Sequence, residues 1–198
     1  MNDKTTRDHI VEAADQLFYR QGYEHTSFAD IAGAVQISRG NFYYHFKSKN
    51  DMLAAVIAGR VASAQAMLAR WDSEESDPAQ RIRCFIRILS DNRAEIKRYG
   101  CPLGTLSDEL AKLGHASQAE VNGQFTLYRT WLRRQFTLLG CKAEADALAM
   151  QLLARRQGIA TLANAFHDEK FLKHEVKQMC EWLSSCAASA AQDKGRKN

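Results

Sequence analysis

Ile37-Ser38-Arg39-Gly40-Asn41-Phe42-Tyr43-Tyr44-His45-Phe46-Lys47-Ser48-Lys49 is the stretch that decides the fold. Ser38 is suited to cap a short helix running from Arg39 to about His45, because its hydroxyl satisfies a free amide of the first turn. Phe42 and Phe46 stand four apart and predict the side that faces a core. Arg39, Asn41, Tyr43, Tyr44 and His45 supply the remaining polar and aromatic groups. Just upstream, Thr26 or Ser27 caps a second short helix from Ser27 to about Ala34, with Ile31 and Ala32 inward. Further back, Ile10, Ala14, Leu17 and Phe18 recur at helical spacing from about Thr5 to Gln21, and Gly22 stops that helix.

Two short helices joined by the tight turn Val35-Gln36-Ile37 match the helix-turn-helix plan. In that plan the second helix enters the DNA major groove and presents its N-terminal residues to base edges. Gly40 near its start costs about 0.5–1 kcal/mol against alanine. A glycine there is sensible if a side chain would collide with the DNA backbone.

Working outward, Lys47-Ser48-Lys49 leads into a long helix from about Ser48 to Trp71, striped by Leu53, Ile57, Val61, Ala64, Leu68 and Trp71. After the polar loop from Asp72 to Asp77, Pro78 suits the first turn of a helix to about Arg93, with Ile82, Phe85, Ile86 and Leu89 inward. A break at Tyr99-Gly100-Cys101-Pro102 precedes a short helix to about Leu113. Longer helices follow over about Ser117–Leu139, Ala143–Phe166 and Lys170–Ala190, and the charged tail 191–198 is expected to be disordered. The expectation is an all-α chain of about nine helices. Residues 1–48 form a DNA-binding domain and residues 49–190 a helical ligand-binding and dimerisation domain.

Composition agrees with this plan. The 198 residues are 45% hydrophobic and 25% charged, ordinary values for a chain able to bury a core, and two prolines leave long helices uninterrupted. The start lacks the apolar segment of a secretory signal, and no apolar stretch approaches the roughly 18 residues of a membrane span, so a cytoplasmic protein is expected. Five scattered cysteines fit reduced thiols, and none has the spacing of a zinc site. The net charge of +4 is a weak hint of a nucleic-acid partner. Residues 1–50 carry six Lys/Arg against six Asp/Glu, so position matters more than total charge, with Arg39, Lys47 and Lys49 close together.

Gly22-Tyr23-Glu24-His25-Thr26-Ser27, Asp30-Ile31-Ala32 and the stretch from Ile37 to Lys49 together resemble the signature of TetR-family transcriptional regulators, over roughly residues 8–55. The resemblance implies a dimeric, ligand-responsive repressor with a palindromic operator. It implies phosphate contacts for Thr26 and Ser27, at a helix start that suits an anion. Ser38 and Gly40 lie at the entry of the recognition helix. Arg39 and Asn41 are the expected base readers, since arginine grips guanine and asparagine adenine in the major groove. Tyr43, His45 and Lys49 are expected backbone clamps, and Tyr44 serves either role. One departure is Gln36, where the family usually has glycine. A positive backbone angle in that turn would cost glutamine about 1 kcal/mol.

Beyond residue 55 the resemblance is to architecture, with a ligand-binding core and a dimer built from the last two helices. Small residues (Ala145, Ala147, Ala149, Ala154, Gly158, Ala160, Ala163) permit close helix approach. Leu148, Leu152, Ile159, Leu162 and Phe166, and Leu172, Val176, Met179 and Leu183, form apolar stripes suited to a partner subunit or to the chain's own core. Trp71, Phe85, Tyr99, Phe125, Tyr128 and Trp131 are candidates to line an effector cavity, with Asn164 and His167 as polar groups. Gly100-Cys101-Pro102-Leu103-Gly104 resembles a stretch found in one subgroup of the family. A thiol before the Pro102 helix is either a thiolate sensor, favoured by the helix N-terminus, or a space-filling residue beside a turn.

No cofactor or metal is expected, and the effector is an unidentified small molecule. An enzyme built on Cys101 with His115 or His167 is the competing class, but no phosphate loop or nucleophile elbow supports it. A DNA-binding protein without a ligand is a third.

Overall fold

The computed structural model describes residues 5–195, with side chains through Gln192. Among them every regular element is a helix: α1 (Thr6–Gln21), α2 (Phe28–Val35), α3 (Arg39–His45), α4 (Lys49–Glu74), α5 (Pro78–Asp91), α6 (Arg93–Tyr99), α7 (Pro102–Lys112), α8 (Gln118–Leu139), α9 (Ala145–Ala165) and α10 (Glu169–Gly195). The all-α class is as expected, with one helix more than the sequence pattern indicates. Asn92 ends α5 at φ −103°, its side chain donating back to the Ile88 carbonyl at 3.0 Å, and α6 begins at once. At the other end α10 continues through Gly195, so 191–195 are helical rather than a disordered tail. Alanine-rich sequence without a breaker carries the helix past Ala190. Residues 196–198 lie outside the described residues.

The chain forms two compact units. One is the chain through Ala64 together with Pro102–Gln124, and the other is Gln65–Cys101 together with the chain from Phe125 onward. The first unit is wider than the helix-turn-helix segment. Ile10, Ala14 and Phe18 of α1, Ile31 and Ala32 of α2, Phe42 of α3, and Phe46, Met52, Leu53 and Val56 are all buried. Burial of each large apolar side chain is worth about 1.5–3 kcal/mol. The Phe42 ring meets Phe28 at 4.7 Å and Phe46 at 6.3 Å, as the four-residue spacing requires.

Within this unit α7 holds α1 and the turn that follows it. The Glu109 carboxylate accepts the backbone N–H groups of Tyr23 and Glu24, each at 2.8 Å. Gly22 allows this on two counts: its φ is +92°, and a Cβ would stand 3.0 Å from Glu109 Oε1. The Tyr23 hydroxyl donates to Asn50 Oδ1 at 2.9 Å, and Arg60 joins Asp15 (2.6 Å) to the Pro102 carbonyl (2.7 Å).

In the second unit α10 packs on α5 and α9, and α6 on α9. Leu172, Val176, Met179 and Leu183 of α10 are buried inside the subunit, the second of the two placements their spacing allows. Asp72 at the end of α4 organises a polar cluster, accepting from Trp131 Nε1 (3.2 Å), Gln135 Nε2 (3.0 Å) and Arg134, with Arg81 donating to Gln135 and to the Asp72 carbonyl.

Contrary to the sequence expectation, α4 contains an 18-residue window long and apolar enough to cross a membrane, with mean hydropathy 1.5. Alanines raise that average. Met52, Leu53, Val56, Ile57, Ala64, Leu68 and Trp71 are the side of α4 that is buried in protein.

Candidate nucleic-acid interface

Each helix of the head starts on a side-chain cap supplied locally. Ser27 Oγ accepts from the Asp30 amide (3.2 Å) while the Asp30 carboxylate accepts from the Ser27 amide (2.8 Å) and hydroxyl (2.7 Å). Those donors hold the Asp30 carboxyl below its ordinary pKa of 3.8. Ser38 Oγ accepts from the Asn41 amide at 3.2 Å, and Ser48 and Asp51 repeat the reciprocal arrangement at the start of α4.

Between α2 and α3 the turn is closed by Ile37 N–H to the Ala32 carbonyl and Gln36 N–H to the Gly33 carbonyl, both 3.2 Å. This double closure is the Schellman pattern, which places its C′ residue in the left-handed region. Gln36 occupies that position at φ 58°, ψ 40°. The departure from glycine therefore carries the strain foreseen, on the order of 1 kcal/mol.

On α3 the two faces divide cleanly. Phe42 is buried, whereas Arg39, Gly40, Asn41, Tyr43 (48% exposed) and Tyr44 (76% exposed) point outward. Among the described residues the Arg39 guanidinium and the Asn41 carboxamide engage nothing in the chain. A Cβ on Gly40 would meet no atom within 4 Å, so packing within the chain gives no reason for glycine there. His45 is half-buried beside the Tyr44 ring at 5.1 Å.

Two of the expected phosphate and clamp residues have other duties. Thr26 is 1% exposed, its hydroxyl donating to the Gly22 carbonyl at 2.6 Å and accepting from Gln21 Nε2 at 3.3 Å. Its hydroxyl faces inward and cannot reach a phosphate, which leaves exposed Ser27 at that helix start. Lys49 is half-buried, lying 4.4 Å over the Tyr23 ring and donating to the Glu24 carbonyl at 3.0 Å. Lys47 donates to the Tyr43 carbonyl at 2.6 Å.

Of the effector candidates, four come together in the second unit. Trp71 and Trp131 stand 5.9 Å apart, Phe85 and Tyr128 5.2 Å, and Phe85 and Trp131 6.2 Å. Tyr99, Cys101 and Phe125 are half-buried in the same unit, and Cys101 directly precedes α7. Asn164 donates to the Lys97 carbonyl at 3.1 Å, and His167 Nδ1 lies 3.2 Å from the same oxygen, so both tie α9 to α6. The five cysteines form no disulfide.

Sequence reasoning missed Arg156. Its guanidinium lies 4.5 Å over the Phe85 ring and 5.8 Å from that of Tyr128. The signal was present, because Arg156 interrupts the buried stripe Ala149, Leu152, Leu153, Ile159, Ala160 and Ala163 at helical spacing.

Comparison with known proteins converges on one family. Residues 10–56 match the profile of the bacterial regulatory proteins of the tetR family. The chain is 43% identical over 155 residues to the HTH-type transcriptional regulator AcrR of Shigella flexneri, covering 78% of this chain and 72% of that one. It is 36% identical over 114 residues to an HTH-type transcriptional regulator in the lacX 3′ region of Lactococcus lactis, spanning 57% of this chain and only 58% of that relative's length. Its fold superposes on a TetR transcriptional regulator from Legionella pneumophila with a TM-score of 0.81 at 28% identity, over 92% of this chain and 98% of that one. With the capped helix-turn-helix and its outward polar face, these similarities point to one family of bacterial regulatory proteins: the chain belongs to the TetR family.

Proposed function

We propose that the protein is a cytoplasmic repressor that binds a palindromic operator as a homodimer and is released by a small-molecule effector. The observation that carries the reading is the outward face of α3. Arg39 and Asn41, exposed and without partners in the chain, are the residue types that read guanine and adenine in the major groove. Ser27, Ser38, Tyr43, Tyr44 and His45 surround them as contacts to the sugar–phosphate backbone, which set register and salt dependence. Operator reading belongs to residues 1–48, and effector binding and dimerisation to residues 49–190.

A second copy of the chain supplies the second head that a palindrome requires. The α9 surface supports this. Ala147, Ala154, Gly158 and Thr161 are exposed along one helical stripe and small enough for a symmetry-related helix to approach closely, and the exposed Met150 and Leu162 beside them offer apolar surface. Release follows as a population shift carried by α4, whose residues run from the first unit into the second. Effector coupling of this kind is typically about 1–3 kcal/mol, and near-complete switching requires about 5.5 kcal/mol. Cys101 is assigned a packing role beside the Gly100 turn.

Selection from a random duplex pool, comparing the wild type with R39A/N41A, tests the reading. A palindromic consensus recovered by the wild type alone is expected. No enrichment at protein concentrations well above a Kd of roughly 10⁻⁸ M would defeat it.

A further inference from the structure

Arg156 is the only charged side chain among the described residues that is as little as 9% exposed. Its Nε is fully buried with no hydrogen-bond partner, and no carboxylate pairs with it. Several arginines of the same unit are matched by carboxylates: Arg81 and Arg134 by Asp72, Arg93 by Glu169, Arg129 by Asp146 and Arg155 by Glu175. Arg83 shares the buried Nε without a partner, but it is less buried than Arg156 and its Nη2 donates to Ser184 Oγ at 2.9 Å. Stacking on Phe85 and Tyr128 offsets part of the desolvation cost of the guanidinium but leaves its charge unneutralised. A buried cation is ordinarily paired, and this one is left for a partner that the chain does not supply.

We propose that Arg156 is the anion anchor of the effector site, and that the effector is a small carboxylate with an apolar or aromatic body. The planar guanidinium fork suits a carboxylate in a two-bond grip, and the adjoining rings of Phe85, Tyr128 and Trp131 suit the body. The inference rests on the effector reading above and specifies its chemistry. It also accounts for a charged residue at the centre of an otherwise apolar α9 face.

The test uses full-length protein and a panel of monocarboxylates (acetate to octanoate, benzoate, phenylacetate and 3-phenylpropanoate), each paired with its neutral primary amide. Binding is followed by tryptophan fluorescence, since Trp131 stands 6.2 Å from the Phe85 ring over which the anchor lies, and by release of selected operator DNA. At least one acid is expected to bind about tenfold or more tightly than its amide. R156M should abolish that preference and raise the melting temperature of the ligand-free protein, while R156K retains part of the preference. The proposal is overturned if no acid outbinds its amide, if the preference survives in R156M, or if R156M folds with a lower melting temperature. The acid–amide comparison on the wild type decides the matter even if R156M does not fold. Operator release by amides but not acids would leave the effector reading standing and remove the anchor. Operator binding unchanged by every compound of either kind would count against both.

Discussion

The outward face of α3 and the interior around Phe85 hold their polar groups in opposite ways. On α3, Arg39, Asn41, Tyr43 and Tyr44 stand in water, where an unused donor costs little. Around Phe85 one guanidinium stands among rings, where an unused donor is expensive. Exposed groups can therefore be changed with little effect on folding, and their role is visible only through the partner. The buried group reveals itself energetically even before a partner is known.

The sharpest way to break this contrast is a pair of truncations. Phe85→Ala should cost about 3–5 kcal/mol in urea denaturation, since the ring is fully buried and its loss leaves a cavity. Tyr44→Ala should leave stability within about 0.5 kcal/mol while weakening operator DNA in a binding titration. Equal destabilisation by the two would erase the distinction.

Thr26 sharpens it on the scale of a single hydrogen bond. Thr26→Val removes the donor to the Gly22 carbonyl and should cost about 1–3 kcal/mol. Its operator affinity, measured on folded protein well below the melting temperature, should remain that of the wild type. Ser27→Ala is the counterpart whose effect should include weaker DNA binding.

The smallest effect carries an informative sign. Gly40→Ala replaces a helical glycine whose Cβ position is open, and should stabilise the protein by about 0.5–1 kcal/mol. Operator binding should weaken in the same variant, because the space is empty only when DNA is absent. Binding that improves along with stability would show that Gly40 has no steric role at the interface.

What could be read from the sequence follows the range of the forces involved. The bounds of α3 were legible to the residue, since Ser38 and the Phe42–Phe46 spacing act within a few positions. The left-handed turn at Gln36 was raised only through the resemblance to a family that usually has glycine at that position. α6 escaped because it hinges on Asn92 bonding back to Ile88, a choice that periodicity does not register. Thr26 was misjudged because a hydroxyl beside a helix start looks like a ligand until its acceptor is known. Arg156 was passed over because arginine is ordinarily a surface residue, and only tertiary packing shows that α9 buries this one. The Tyr23–Glu109 contact joins residues 86 positions apart, and no local pattern announces it.

That contact bears on how such regulators can be recombined. A head transplanted at residue 48 would leave Glu109 behind, strip Met52, Leu53 and Val56 from its core, and present the Tyr23 and Glu24 amides to a foreign helix. A chimera that exchanges DNA specificity while keeping its own effector response must instead carry two pieces, the chain through Ala64 and the segment Pro102–Gln124. The transferable module is discontinuous in the gene, with its joints placed inside α4 and α8 and between Cys101 and Pro102.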